Sequence, residues 1–196
     1  LVRGHRFDNR FDSFDYMKII QSPSPNFSER NGFKPEIIVV HATDGGYPYD
    51  LEWLTNLQSE VSSHYLIAPD GITHQLVQED KAAWHAGLVR NPTFKSLKEG
   101  VNPNNYSIGI EVSMLSKNIM LDVQKNSLYE LIKDISARNA IPIDRQHIIG
   151  HREIRSNKTC PGTINLNTVV SDLLFINSGQ DKNSIKKQIV ELLDKL

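Results

Sequence analysis

GHREIRSNKTCPG, Gly150–Gly162, places a histidine, His151, and the chain's only cysteine, Cys160, at either end of a short stretch that also carries Lys158. Imidazole nitrogen and thiolate sulfur are ligand types that zinc takes readily, and a catalytic zinc site needs three protein ligands with a fourth position left open. Pro161-Gly162 forces a turn directly after the cysteine, and Arg152, Arg155 and Lys158 are placed to favour its thiolate. A lone cysteine is more often a small buried hydrophobe, and a lone histidine a satisfied core residue, so a third donor is required. His41 is the best one. Ile37-Ile38-Val39-Val40 reads as a buried strand that ends on this histidine and then turns at Asp44-Gly45-Gly46.

Working outward, Gln146–Gly150 reads as a short strand that delivers His151, and Pro142 ends the helix before it. That helix, Leu121–Asn139, carries Leu128, Leu131, Ile132 and Ile135 at helical spacing, so one face covers a sheet. Leu166–Phe175 repeats the pattern with Leu166, Val169, Val170 and Leu173, and Ile185, Ile189, Leu192, Leu193 and Leu196 form a last amphipathic stripe. Tyr106–Ser113 alternates as a strand with Ile108, Ile110 and Val112 on one face and Ser107, Gly109 and Glu111 on the other. Ser62–Ala68 and Ile72–Val77 flank Pro69-Asp70-Gly71 and predict a hairpin. Asp50–Glu60 reads as a helix capped by Asp50, with Leu51, Leu54 and Leu57 inward. Gly87–Asn105 is a long polar loop of the kind that rims binding sites. The pattern is α/β, with a central mixed β-sheet flanked by helices.

The chain of 196 residues, 39% hydrophobic and 23% charged, has the composition of a soluble globular protein with one main domain. Its formal net charge of −1 argues against a nucleic-acid binder that works by neutralising phosphates. No apolar run approaches the ~20 residues that span a bilayer. One cysteine permits no internal disulfide. The domain reading is an irregular N-terminal arm over 1–23, broken at Ser22-Pro23-Ser24-Pro25, a catalytic domain over 24–176, and a linker with an amphipathic helix over 177–196. The arm starts without methionine and lacks a signal-peptide core, which reads as a processed or truncated chain.

Five segments in order, IIVVHATDGG, SSHYLIAPDG, AAWHAG, YSIGIEVSM and GHREIRSNKTCPG, resemble the zinc-dependent N-acetylmuramoyl-L-alanine amidases of the type-2 class. That class includes phage endolysins, AmpD-type enzymes and peptidoglycan recognition proteins. The resemblance spans roughly Ser24 to Asp172. It implies the peptidoglycan recognition protein fold, one zinc on His41, His151 and Cys160, and hydrolysis of the amide between N-acetylmuramic acid and the first alanine of the stem peptide. It further implies catalytic roles for Glu111 as general base and Lys158 as oxyanion stabiliser, and a substrate-binding role for Trp84 and His85 in the cleft. His64 is carried as a substrate-binding candidate too, although a histidine on a half-buried sheet often only completes a hydrogen-bond network. Ser63 stands where the phage-lysozyme and recognition-protein branches carry a tyrosine, which favours an AmpD-like arrangement centred on Glu111. A non-catalytic recognition module would keep the groove and lose the ligands, and all three ligands are here. The implied partners are peptidoglycan or muramyl peptides, with a cell-wall-binding domain outside this chain as an option beyond the last helix. Whether the enzyme is secreted, or is a phage endolysin released from a host cell, is left open.

Overall fold

The computed structural model describes residues 18–114 and 119–177. Their strands are β1 (Ile19–Gln21), β2 (Phe27–Glu29), β3 (Ile37–Ala42), β4 (Tyr65–Ile67), β5 (Thr73–Gln75), β6 (Lys81–Ala83), β7 (Ser107–Val112) and β8 (Ile148–Gly150). The helices are α1 (Tyr49–Thr55), α2 (Asp122–Asn139), α3 (His151–Ile154) and α4 (Leu166–Asn177). Six strands form a mixed sheet in the order β1-β5-β4-β7-β3-β8, and β2 and β6 make a separate antiparallel pair.

β3 is an interior strand, parallel to both neighbours β7 and β8. Its continuous apolar run is what a parallel strand covered on both faces requires. Ile38 and Val40 point to one face with Ile108, Ile110 and Val112, where Leu128, Leu131, Ile132 and Ile135 of α2 and Val169 and Leu173 of α4 close the main core. At roughly 1.5–3 kcal/mol for each large aliphatic side chain removed from water, this layer holds the sheet rigid. Ile37 and Val39 point the other way and pack with Ile149, Tyr106, Ala86 and Ile154. By the same alternation His41 and Glu111, paired partners in the β3–β7 register, emerge together on this second face. The long helices α2 and α4 thus cover one side of the sheet, and the site shares the other with the short helices α1 and α3.

The hairpin forms as expected, with β4 and β5 antiparallel and Tyr65 opposite Gln75. Helix α2 matches its expected span, and among the described residues no helix is long and apolar enough to cross a membrane. Three expectations need correction. The arm expected over 1–23 is not irregular throughout: its Ile19–Gln21 form β1, which pairs in parallel with β5, and just past its end β2 pairs with β6. Such three-residue strands are held by main-chain bonds, which leave no alternation to read. The helix expected over Asp50–Glu60 ends at Thr55 and continues as a short 3-10 turn at Leu57–Ser59, so Leu57 is exposed. Asp50 does not cap it, because it lies one residue inside α1 and is buried. The residues before 18 and the final stripe from Ile185 onward lie outside the described residues.

Candidate metal centre

Three local devices bring the ligand candidates together. β3 carries His41 at its last position but one, and its direct neighbour β8 runs straight into His151 at the start of α3. Glu153 fixes that corner: its Oε2 accepts the Gly150 N–H at 2.7 Å, and Arg145 Nη2 holds both Glu153 oxygens at 2.9 and 3.0 Å. The chain then turns back so that Arg152 N donates to the Cys160 carbonyl at 2.9 Å. Pro161 packs onto Gly150, where a Cβ would stand only 2.6 Å from the proline ring. Glycine is needed there because the proline ring lies directly against its Cα.

One ligand atom each from His41, His151 and Cys160 fall within 4.8 Å of one another. The His41 and His151 rings meet edge to face with centroids 4.8 Å apart. His151 Nε2 lies 3.0 Å from the Ala86 carbonyl. A carbonyl only accepts, so that nitrogen carries the proton and Nδ1 keeps its lone pair for a ligand role. Both imidazoles are held neutral. Burial lowers His151 to about 4, with Lys158 adding to the effect. Burial likewise takes His41 well below the ordinary value, helped by His151 and Lys158. Cys160 Sγ accepts the Ala42 N–H at 3.2 Å. Burial, and then the neighbouring Glu111, push the thiol up to about 12. Of the three basic residues expected to favour its thiolate only Lys158 acts on it, and it is outweighed. Arg152 is turned to the Gly162 carbonyl, and Arg155 rests against Gly87.

Glu111 completes the cluster. Its Oε1 is 3.8 Å from His41 Nδ1, and its Oε2 is buried without a hydrogen-bond partner. Burial raises the carboxyl to about 8, with Asp50 and Asp44 adding and Lys158 opposing. Two neutral imidazoles, a thiol receiving an N–H bond and an orphaned carboxylate oxygen suit a zinc ion, since a cation would supply the charge that this site lacks.

The cluster forms the floor of a cavity of about 600 Å³ that also takes in Trp84, His85, Lys158, Asp50, Tyr49 and Trp53. Trp84 is half-buried there, with its indole N–H 3.3 Å from Ser28 Oγ. His85 touches the cavity, but both ring nitrogens are engaged inside the fold, by His41 at 3.0 Å and Ser107 at 3.0 Å. It is therefore not free to donate to a substrate as expected. His64 does not reach the cavity: it is fully buried, accepts the Gly109 N–H at 2.9 Å, and lies 3.0 Å from the Lys81 carbonyl. A second groove, of about 710 Å³, is built by the Gly87–Pro103 loop and holds none of the ligand candidates.

Sequence reasoning missed Asp50 and the exposed aromatics of α1. Asp50 Oδ2 accepts the hydroxyls of Thr43 and Ser113, both at 2.6 Å. It steadies the turn after His41. The available signal was its position four residues before the buried Leu54, on the inward face of the helix. Tyr49 and Trp53, 69% and 58% exposed, form an aromatic rim on the same cavity.

Residues 31–163 match the N-acetylmuramoyl-L-alanine amidase family. The chain belongs to that family. It is 31% identical over 165 residues to the 1,6-anhydro-N-acetylmuramyl-L-alanine amidase AmpD of Haemophilus influenzae, covering 72% of this chain and 84% of that one. It is 33% identical over 100 residues to N-acetylmuramoyl-L-alanine amidase A of Achromobacter lyticus, and there it spans about half the relative's length, 48%. The fold superposes with a TM-score of 0.58 and 26% identity on the Escherichia coli amidase AmiD, solved in complex with anhydro-N-acetylmuramic acid-L-Ala-D-gamma-Glu-L-Lys, over 74% of this chain and 65% of that one. The mixed sheet flanked by helices is that of the amidase family.

Proposed function

We propose that this chain hydrolyses the amide bond between N-acetylmuramic acid and the L-alanine of the stem peptide, using one zinc ion held by His41, His151 and Cys160. Family membership supports the reaction. The observation that carries the metal is the convergence of the three ligand atoms within 4.8 Å beside an unpartnered, buried Glu111 Oε2. When bound, zinc would supply the Lewis acidity that makes water nucleophilic near neutral pH, and its charge would join Lys158 in drawing Glu111 toward its ionised form. Glu111 takes the proton from the attacking water at its free oxygen and passes it to the leaving alanine nitrogen. A carboxyl lifted toward neutrality holds and releases a proton with nearly equal ease, which is what an acid–base catalyst requires. Lys158, on the exposed lip of the cavity, stabilises the oxyanion as the carbonyl is attacked. Trp84 forms the substrate wall, and a muramyl peptide of the kind bound by AmiD is the substrate class. We place the start of the catalytic unit at β1, because its pairing with β5 makes it part of the sheet.

Two measurements on the purified protein test this. Elemental analysis is expected to return about one zinc per chain. Mass spectrometry of digested peptidoglycan is expected to show free stem peptides with an alanine amino terminus beside intact glycan. A protein that neither contains nor takes up zinc, or that releases sugars instead, would overturn the reading.

A further inference from the structure

Among the ligand candidates His85 is hydrogen-bonded only to His41, and its other ring nitrogen turns away from the cavity toward Ser107. His85 Nδ1 lies 3.0 Å from His41 Nε2, His85 Nε2 lies 3.0 Å from Ser107 Oγ, and Ser107 Oγ lies 2.7 Å from the Pro103 carbonyl. The direction of every bond follows from the far end. The carbonyl can only accept, so the Ser107 hydroxyl gives its single proton to Pro103 and accepts from His85 Nε2–H. A neutral imidazole protonated at Nε2 has its lone pair on Nδ1, so at that atom His85 accepts from His41. The His41 proton is then on Nε2, and its lone pair is on Nδ1, the atom that faces Glu111 Oε1 at 3.8 Å.

We propose that Ser107 and His85 are positioning residues that lock His41 in its Nε2–H tautomer, so that the Nδ1 lone pair is kept on the ligand side. This rests on the metal reading given above. The relay is sealed, with Ser107 wholly buried, His85 8% exposed and His41 1% exposed. β7 gives up a side chain to house it: a Cβ on Gly109 would fall 2.5 Å from His85 Cγ. His151 has no such relay, since the Ala86 carbonyl fixes its tautomer in one step. For His41 the decision lies with a hydroxyl two hydrogen bonds behind it, through His85. Without that hydroxyl His85 can carry its proton on Nδ1, and His41 must then answer with Nε2 bare and Nδ1 protonated, a form that cannot ligate through Nδ1.

Long-range proton–nitrogen NMR of the zinc-free protein, labelled with 15N-histidine, reads the tautomer directly. The expected result is a protonated Nε2 and a bare Nδ1 on His41, with a shift toward the opposite tautomer in Ser107→Ala. Competition with a chelator of known affinity is expected to show zinc binding weakened roughly 10- to 100-fold in Ser107→Ala, the usual effect of losing a partner behind a metal ligand. The melting temperature of the zinc-free variant controls for simple loss of structure. A protonated Nδ1 on His41 in the unsubstituted protein overturns the proposal, and so does unchanged zinc affinity in a folded Ser107→Ala. If that variant does not fold, the NMR of the unsubstituted chain decides. Failure of the unsubstituted protein to bind zinc would sink the metal reading instead, and the tautomer assignment would be judged on its own spectrum.

Discussion

Two buried polar clusters sit on one side of the same sheet, and they have opposite habits. Around His64 both ring nitrogens are paired, Nδ1 with the Gly109 N–H and Nε2 with the Lys81 carbonyl. Arg30 donates to the carbonyls of Glu79, Asn104, Asn105 and Ser107 at 2.7, 3.3, 2.9 and 3.0 Å, and its Nη2 lies 3.0 Å from His64 Nε2. Burial and the guanidinium take His64 down to about 3, so it stays neutral and acts as a fixed strut between β6 and β7. Around His41, His151 and Cys160, by contrast, lone pairs converge and Glu111 Oε2 is unpartnered. The rings of His64 and His85 are 5.7 Å apart, so the two regimes are neighbours. Saturated hydrogen bonding marks a structural polar cluster, whereas convergent unspent lone pairs mark a binding one.

Substitutions should affect the two clusters in separable ways. Cys160→Ser should have the largest effect, removing most zinc affinity and activity together, because a neutral hydroxyl replaces a thiolate ligand. Zinc content and turnover measured in parallel would check it, and normal values for both would mean that the ligand is misplaced. Arg30→Ala should cost about 3 kcal/mol of folding stability by leaving several buried carbonyls without donors, while the folded fraction retains its zinc. Chemical denaturation beside metal analysis separates the two, and a loss of zinc without a loss of stability would erase the distinction. Glu111→Ala and Lys158→Ala should keep fold and zinc yet lose turnover by roughly 100-fold, with substrate affinity much less changed. Near-normal turnover in Glu111→Ala would place the base elsewhere.

The smallest expected effect concerns pH. The Glu111 carboxyl rises from 4.5 to about 8 in the folded, metal-free chain, so its contribution to stability is fully present below 4.5 and is lost as pH rises through about 8. Glu111→Gln should therefore flatten the fall in melting temperature of zinc-stripped protein between about pH 5 and 9, gaining most at the alkaline end. Profiles for the two proteins that run parallel would show that Glu111 is not the group responsible.

How much of this was legible depended on whether a residue's role resides in its type or in its surroundings. His41, His151 and Cys160 could be picked out because few residue types ligate zinc and because apolar runs and turns mark the strand ends that carry them. Helices α2 and α4 and the hairpin were legible from period and turn chemistry, which are local. His64 reads as more often structural and His85 as part of the cleft, but nothing in their local sequence shows which partners their ring nitrogens engage. Only the tertiary hydrogen bonds separate a strut from a relay. Asp50 looked like a cap because an aspartate ahead of leucines gives the same signal whether it caps a helix or lies buried one residue within it. β1 was hidden because three residues paired only through their backbone carry almost no side-chain pattern.

Arg30 bears on how such catalytic modules can be exchanged. The family match begins at residue 31, so a graft cut where similarity begins would leave behind the guanidinium that ties the turn ahead of β6, at Glu79, to β7 at Ser107. It would also discard β1 and Ser22, whose Oγ lies 2.9 Å from His74 Nδ1. A chimera joined before residue 18 keeps these fastenings, whereas one joined at 31 carries every ligand candidate yet lacks the brace behind the strand that bears Glu111. For swapping amidase-family domains between carriers, the place to cut is set by the brace rather than by the first recognisable motif.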